Sequence, residues 1–426
     1  MKAIGIDIGT TSISGVLYSV SSKNLIKSLT KNSNAFIQTE NSWEKIQNVE
    51  KIIGVAREIL NELLVSDVAV IGVTGQMHGI VYYDEKGFAV SPLYTWQDGR
   101  GNLPYKNSTY AEFLKSSSGY GCVTDFYNRE NGLVPVSAVG FCSIADYLAM
   151  NLCGVNKPLI HSSNAASFGC FDLEKNEFIN GCKEIVTSGF KIVGKYKGVP
   201  VSVAIGDNQA SVLATCKNNG VLFNVGTGSQ VSIVSDKIKV LDNVETRPYF
   251  ENKYLLVGSA LCGGRAYSLV KDFIRDIISE KTEITDSEVY QIMARFLERV
   301  KTPSITADTR FAGTRADKTI SGSFSGVTTE NFKPSEFIAS VLYGMVEELY
   351  GMYESFGEKR ACLIGSGNGV KNNKRLVEIA EEKFGVKMEK PSFNEEASFG
   401  AMLYGLIAIG KFSTVSEAQQ LIKYER

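Results

Sequence analysis

Apolar residues recur with two periods along this chain, and the places where the period changes mark out its elements. Alternation or short apolar runs at residues 2–9, 13–20 and 25–30 predict three successive strands separated by Gly or Ser/Lys turns. From Trp43 to Val65 the apolar positions Ile46, Val49, Ile53, Ala56, Ile59, Leu60 and Leu63 fall at helical spacing, with Ser42 placed to cap the helix. A buried strand at 68–73 ends at Gly75, and residues 80–84 followed by Lys86-Gly87 predict a local hairpin. The second half repeats the plan, with strands at 201–205, 221–225, 230–234 and 254–257 and helices near 265–279 and 286–300. Pro334 opens a long helix to Phe356 whose Phe337, Ile338, Val341, Leu342, Met345 and Leu349 share one stripe. A strand at 361–364 runs into Gly365-Ser366-Gly367-Asn368-Gly369, an amphipathic helix begins near Lys371, and two more helices finish the chain.

Three strands, a long helix and another strand are the opening of a ribonuclease-H-like unit, and the plan occurs twice. A chain of 426 residues exceeds one ordinary core. The short polar stretch Cys216-Lys217-Asn218-Asn219-Gly220 is the expected junction, giving domains at 1–215 and 216–426. Two such α/β domains would flank a central cleft, where ligands gather.

Composition narrows the partners. With 44% apolar and 21% charged residues and a net charge of −1, nothing suggests a nucleic-acid partner. No stretch reaches the apolar length of a membrane span, and a first strand at Lys2 leaves no room for a cleaved signal, so a cytoplasmic protein is expected. The eight cysteines, Cys182 among them, include no C-x-x-C pair, and the only histidines are His78 and His161. That pattern argues for small buried hydrophobes rather than a zinc site.

The chemistry concentrates where strands end. Asp7-Ile8-Gly9-Thr10-Thr11-Ser12 and Asn224-Val225-Gly226-Thr227-Gly228-Ser229 are equivalent Gly turns after apolar runs, half a chain apart. Facing each other, they would offer hydroxyls and backbone N–H groups to a polyphosphate, with Asp7 holding hydrated Mg2+ beside it. Alone, the first turn would be an ordinary hairpin with a satisfied Asp. Gly206-Asp207-Asn208-Gln209-Ala210-Ser211 places a carboxylate between a strand and a helix, as a general base or a plain N-cap. The helix N-terminus is expected to lower its pKa. Gln76-Met77-His78-Gly79 brings an amide and an imidazole to a strand end. Thr95-Trp96-Gln97-Asp98-Gly99-Arg100 combines an apolar ring with charged groups suited to a polyol. Val370 breaks any dinucleotide fingerprint in the Gly365 run, and neither a G-x-x-x-x-G-K-[ST] loop nor an H-R-D loop occurs.

Taken in order, these six motifs resemble those of the FGGY carbohydrate kinases of the actin/Hsp70/hexokinase ATPase superfamily, from Met1 to about Gly410. The resemblance implies an ATP-dependent kinase that phosphorylates the terminal hydroxyl of a ketose. Trp96-Gln97 and Asn164-Ala165-Ala166-Ser167-Phe168-Gly169 favour sedoheptulose, with D-xylulose next. It also implies that Asp207 is the general base and that Gln76, Met77, His78, Trp96, Asp98, Arg100 and Asn208 hold the sugar. Gly9, Thr10, Thr11, Gly226, Thr227, Gly228, Gly264, Gly365, Gly367, Asn368 and Asn372 would border ATP, with Mg2+ at Asp7. The N-terminal domain would carry sugar and catalysis, the C-terminal domain the nucleotide, in a monomer or homodimer without nucleic acid or membrane partners. Residues 280–325 carry no motif of the family, and which of Asp125 and Tyr127 lines the sugar is left open. A rival reading is an actin- or Hsp70-like ATPase without a sugar, in which residues 96–100 and Asp207 would have no purpose.

Overall fold

The computed structural model describes residues 1–179, 184–314, 317 and 319–425, so Cys182 lies outside the described residues. The chain forms two compact units. The first comprises Met1–Lys217, Arg247–Tyr254 and Phe393–Lys423; the second comprises Asn218–Thr246, Leu255–Ser392 and Tyr424–Arg426. These units are not two contiguous halves, because a C-terminal segment packs with the first.

In the first unit, strands β1 (Lys2–Ile8), β2 (Ser12–Ser19) and β3 (Asn24–Asn32) form an antiparallel meander. A short strand β4 (Ile46–Gln47) precedes helix α1 (Val49–Leu63). Strand β5 (Val68–Gly75) pairs parallel to β1, and β6 (Ile192–Tyr196) and β7 (Val199–Gly206) complete a sheet of order β6-β7-β5-β1-β2-β3. Ile4, Ile6 and Ile8 alternate into a core with Ile52, Ala56, Ile59 and Leu63 of α1. Helices α2 (Gly121–Glu130), α3 (Ile144–Cys153) and α4 (Ser162–Ser167) follow, and α5 (Asp207–Thr215) leaves the end of β7.

One expectation differs here. The helix at 43–65 starts only at Val49, capped by Asn48, whose side chain accepts from Lys51 N at 2.9 Å. Residues 46 and 47 pair instead with the short strand Leu93–Tyr94, which pulls the preceding residues out of the helix. The hairpin expected after residue 80 is present but has no ladder of its own: Asp84 N donates to Phe88 O at 3.0 Å and Val90 N to Tyr82 O at 2.9 Å, with isolated bridges of Tyr83 with Ala89 and Ile80 with Tyr94. Strand Val81–Tyr83 takes its ladder from the distant Gly140–Cys142.

The second unit repeats the theme. Strands β8 (Val221–Val225), β9 (Ser229–Ser235), β10 (Val244–Pro248) and β11 (Tyr254–Ala260) lead to helices α6 (Gly263–Ser279), α7 (Asp286–Leu297) and α8 (Pro334–Ser355). Strand β12 (Leu363–Ser366) is followed at once by α9 (Gly367–Asn372) and α10 (Lys374–Phe384). The glycine run is therefore a strand end and a helix start, not a loop with a helix beginning near Lys371. Strands β13 (Met388–Pro391) and β14 (Tyr424–Glu425) complete the order β10-β11-β9-β8-β12-β13-β14. Val221, Phe223, Val341, Leu342, Leu349 and Ile379 share this unit's core.

Helix α11 (Glu396–Ala408) returns to the first unit, buried from Ser398 through Ile407. Its backbone lies against glycines of the sheet: a Cβ on Gly5 or Gly72 would sit 1.8 Å from the carbonyl oxygen of Ser398 or Ala401, respectively. Only glycine permits that approach.

Candidate functional site

The first unit gathers several of the sequence motifs. Asp7 closes β1 beside the turn that enters β2, and its Oδ1 is buried without a hydrogen-bond partner. Burial pushes its carboxyl up to about 8, and the charges of Asp207 and Glu395 push it the same way. Asp207 is the first residue of α5, with Gly206 at the N-cap, so its carboxylate is not a capping group. Burial pushes it up to about 6, against the opposing pull of Arg247 and the Asn208 N–H. The expected lowering by the helix terminus is thus reversed, because desolvation outweighs the half-charge of a short helix.

The strand before this aspartate is fixed by side chains. Thr74 Oγ1 donates to Ile205 O at 2.7 Å, Asn164 Nδ2 to Ala204 O at 3.3 Å, and Gly206 N to Ser163 Oγ at 3.0 Å. Met77 is buried, and its sulfur lies 2.7 Å from where a Cβ on Gly206 would be. Asn208 sits beside Asp207 in the first turn of α5.

Gln76 continues β5 by donating its backbone N–H to Ile8 O at 2.8 Å. His78 holds a φ of +72°, an unusual conformation for a bulky residue. Ser167 secures it from two sides, since the hydroxyl accepts from His78 N at 3.1 Å and the carbonyl lies 2.8 Å from Nδ1. A carbonyl only accepts, so Nδ1 carries the hydrogen. The imidazole stacks on Tyr120 with ring centroids 4.3 Å apart. Residues 76–79, 118–122 and 164–169, distant in sequence, therefore meet.

Trp96 is 47% exposed, and its Nε1 donates to Thr10 Oγ1 at 3.0 Å. Asp98 and Arg100 differ from the expected direct grip on a sugar, as both are 1% exposed. Arg100 Nε donates to Asp98 Oδ1 at 2.6 Å, and Nη2 to Asp98 Oδ2 at 3.2 Å. Asp98 also accepts from Lys45 N and Arg100 N, while Arg100 reaches Asn128 and Glu44 and lies 4.3 Å from the Tyr94 ring centroid. Their polar atoms are occupied, and they brace the wall that carries Trp96. Asp125 is taken by Tyr82 and Arg129, and Tyr127 lies 5.4 Å from the Arg100 guanidinium.

In the second unit a cavity of about 1230 Å³ is lined by Gly226, Thr227, Gly264, Asn368 and Asn372 among others. Gly228, Gly365 and Gly367 do not line it. Gly228 and Gly367 act on the backbone around it: Gly226 N donates to Gly228 O, and Gly367 at φ +85° would place a Cβ 2.5 Å from Val225 O, whereas a Cβ on Gly365 would meet the side chains of Met388 and Val370. Helix α6 docks on the turn by Gly264 N donating to Gly226 O at 3.1 Å and Arg265 N to Thr227 O at 3.0 Å. A Cβ on Gly264 would meet Gly226 O at 2.3 Å, so this approach also requires glycine. Arg265, Tyr267, Tyr290 and Arg375 line the same cavity and were not anticipated. In the sequence Arg265, Tyr267 and Arg375 are signalled only by proximity to Gly263-Gly264 and to Asn372, and Tyr290 by nothing nearby. Gly9 and Thr11 belong to the first unit's turn, where Thr11 O accepts from Ser33 N at 2.9 Å.

Comparison with known proteins identifies the family. Residues 2–186 match the N-terminal domain of the FGGY family of carbohydrate kinases, and residues 221–409 match its C-terminal domain. The sedoheptulokinase of Mus musculus is 28% identical over 465 residues, covering 94% of this chain and 96% of that one. The sedoheptulokinase of Homo sapiens is 26% identical over 472 residues, with the same coverage of each chain, 94% and 96%. A ligand-bound xylulose kinase from Lactobacillus acidophilus has the same fold, with a TM-score of 0.85 at 18% identity over 100% of this chain and 93% of that one. Plasmodium falciparum glycerol kinase with ADP gives 0.76 at 15% identity, again over 100% and 93%. No helix among the described residues is long and apolar enough to cross a membrane. The chain belongs to the FGGY family of carbohydrate kinases and is an ATP-dependent sugar kinase.

Proposed function

We propose that this kinase phosphorylates the terminal hydroxyl of a ketose, sedoheptulose before D-xylulose, with Asp207 as general base. The first unit would bind the sugar and the second the nucleotide. The observation that carries the reading is a half-buried carboxylate at the start of α5, raised to about 6 by desolvation and held by a strand end that three side chains rivet. Such a group is ionised at neutral pH yet basic enough to take a proton in the transition state.

In this reaction the hydroxyl oxygen attacks the γ-phosphorus of ATP, its proton passes to Asp207, and ADP leaves. Little covalent help is needed, so positioning and charge neutralisation supply most of the rate. Trp96 would offer its exposed ring face to the carbon chain, and Gln76, Met77, His78 and Asn208 would line the hydroxyls. Asp98 and Arg100 would serve as the frame behind them. Gly226, Thr227, Gly264, Asn368 and Asn372 would border ATP from within the second unit's cavity, with Gly228 and Gly367 shaping the backbone there. Gly9, Thr10 and Thr11 would face the transferred phosphate.

Mg2+ fits Asp7. Its Oδ1 is buried without a hydrogen-bond partner, and the negative charges of Asp207 and Glu395 act on the same carboxyl, a donor set suited to a cation. Among the described residues no cluster of three or more His, Cys, Asp or Glu could cage a metal. Mg2+ bound through one carboxylate, phosphate oxygens and water needs no such cage. When bound it would neutralise the phosphate charge.

Steady-state assays across a ketose panel test the substrate. Sedoheptulose is expected to give the highest kcat/KM. A clear preference for D-xylulose would overturn that choice, and turnover indifferent to every sugar would overturn the ketose reading.

A further inference from the structure

Gln47 has no place in any motif of the chain, yet it is fully buried between two parts of the first unit. Its Nε2 donates to Thr10 O at 2.6 Å, in the turn after β1. Its Oε1 accepts from Gln76 Nε2 at 3.1 Å, at the end of β5. Gln76 is 3% exposed, and its Oε1 is buried with no hydrogen-bond partner.

The direction of this relay follows from its anchor. A backbone carbonyl can only accept, so the amide nitrogen of Gln47 must face Thr10. Its oxygen must then face Gln76, where it too can only accept. Gln76 is thereby forced to turn its nitrogen inward and leave its oxygen as the unsatisfied atom. A buried acceptor without a partner is costly, and a ligand that supplies a donor recovers that cost.

We propose that Gln47 is a positioning residue that fixes the Gln76 carboxamide with its oxygen toward the acceptor sugar, so that Gln76 selects a hydroxyl acting as hydrogen-bond donor. The inference rests on the reading of the first unit as the sugar site. It adds a rule of recognition: at one carbon of the substrate, an acceptor-only substituent is rejected as firmly as a missing one. Met and Glu at position 47 both break the relay, Met by removing its polar atoms and Glu by facing an oxygen to Thr10 O.

The test uses the full-length enzyme and the sugar that proves best in the acceptor panel, with its monodeoxy and deoxyfluoro analogues. Fluorine accepts weakly and cannot donate. At one position both analogues should raise the wild-type KM by about 3- to 10-fold, the worth of one neutral hydrogen bond. The penalty should vanish in Gln76→Met and shrink in Gln47→Met, with kcat for the parent sugar changed less than KM. In a double-mutant cycle, Gln47→Met should cost nothing further in sugar KM once Gln76→Met is present, whereas a merely structural role would add. If Gln47→Met fails to fold, the Gln76→Met comparison alone decides whether the oxygen reads a donor. Fluoro analogues binding as well as the parent at every position would overturn the proposal. So would additive costs in the cycle, or a penalty that survives Gln76→Met. Because the analogues derive from whichever acceptor is best, failure of the ketose reading shows in the panel, and failure of this inference shows only in the analogue series.

Discussion

Substituting Gly400 by alanine tests whether the base is held by the C-terminal helix. Gly400 lies on α11 where it passes α5, and an added Cβ would stand 1.9 Å from Ala210 O, 2.5 Å from Ala210 C and 2.9 Å from Ala210 Cα. Real Cβ atoms do not approach nearer than 3.0 Å, so the two helices must part by about 1 Å. The obstacle is backbone, which has no rotamer to escape into. Helix α5 has nine residues and begins at Asp207, less than one turn before Ala210, so it cannot shift at Ala210 and keep Asp207 in place. A displacement of roughly 1 Å in a reacting group costs on the order of 10²-fold in rate. Overpacking costs about 1–3 kcal/mol of stability, a fall in Tm of roughly 5 °C for a unit of this size. Steady-state kinetics and thermal unfolding of Gly400→Ala should therefore show a loss in kcat far larger than the change in sugar KM. Gly405→Ala on the same helix is the control, since its Cβ would meet Val70 Cγ2 at 3.1 Å and the Gly72 backbone at 3.3 Å, far less close than the 1.9 Å at Gly400. Those neighbours need give only a few tenths of an ångström, and alanine's helix propensity offsets the strain. A Gly400→Ala enzyme within threefold of wild-type kcat, or a Gly405→Ala enzyme equally impaired, would refute the reasoning.

Asp207→Asn keeps the shape of the base and removes its basicity, so kcat should fall by about 10²- to 10⁴-fold with sugar KM nearly unchanged; near-normal turnover would remove Asp207 from the role. Stability should carry opposing pH terms from groups that burial perturbs. Burial lowers His161 from 6.5 to about 4, so its contribution is complete above pH 6.5 and is lost as pH falls toward 4. Burial raises Asp146 from 3.8 to about 7, so its contribution is complete below pH 3.8 and is lost as pH rises toward 7. Asp7 and Asp207, raised to about 8 and about 6, act in the same direction as Asp146, so between about pH 4 and 6 the aspartates outweigh His161 and stability falls as pH rises; Asp146→Asn should make that fall shallower by about 1.4 kcal/mol per pH unit. Denaturant melts of both proteins across that window check this, and parallel stability curves would contradict it.

Elements governed by local pattern were readable from the chain. The strands at 2–9 and 13–20 became β1 and β2 nearly as expected, because alternation and a Gly turn suffice to define a hairpin. The start of α1 was misplaced because Trp43 and Ile46 fit a helical register, while the residues that decide the boundary lie elsewhere: Leu93 and Tyr94 supply a strand partner, and Arg100 lies 5.8 Å from the Trp43 ring centroid. Asn48 before Val49 was the cap signal to weigh. Asp98 and Arg100 were legible as a charged pair beside Trp96, but their occupation by each other, Lys45, Asn128 and Glu44 was not, since nothing in the sequence tells which donors already face a carboxylate. Residues 396–408 follow the second unit in order, yet Ser398 through Ile407 are all buried. A helix apolar on every side has no solvent face, and that was the available sign of burial in a larger core.

What sequence reading missed is largely the part that residues play in holding others still. Thr74, Ser163 and Asn164 bond the backbone just ahead of Asp207, and Gly400 lets α11 press on the helix that Asp207 begins. Gln47 and Trp96 likewise hold Thr10 from its carbonyl and its hydroxyl. A reaction that gains its rate from position needs such rigidity, because each group must lie within hydrogen-bond reach of one substrate atom and not its neighbour. Motif residues can be found by type and spacing because chemistry restricts them. Their supports are restricted only by three-dimensional neighbours, which leaves them scattered through the chain. The first unit accordingly draws its supports from β4, β5, α4 and α11 near the C-terminus, so removing α11 should impair the base as surely as altering the strand before it.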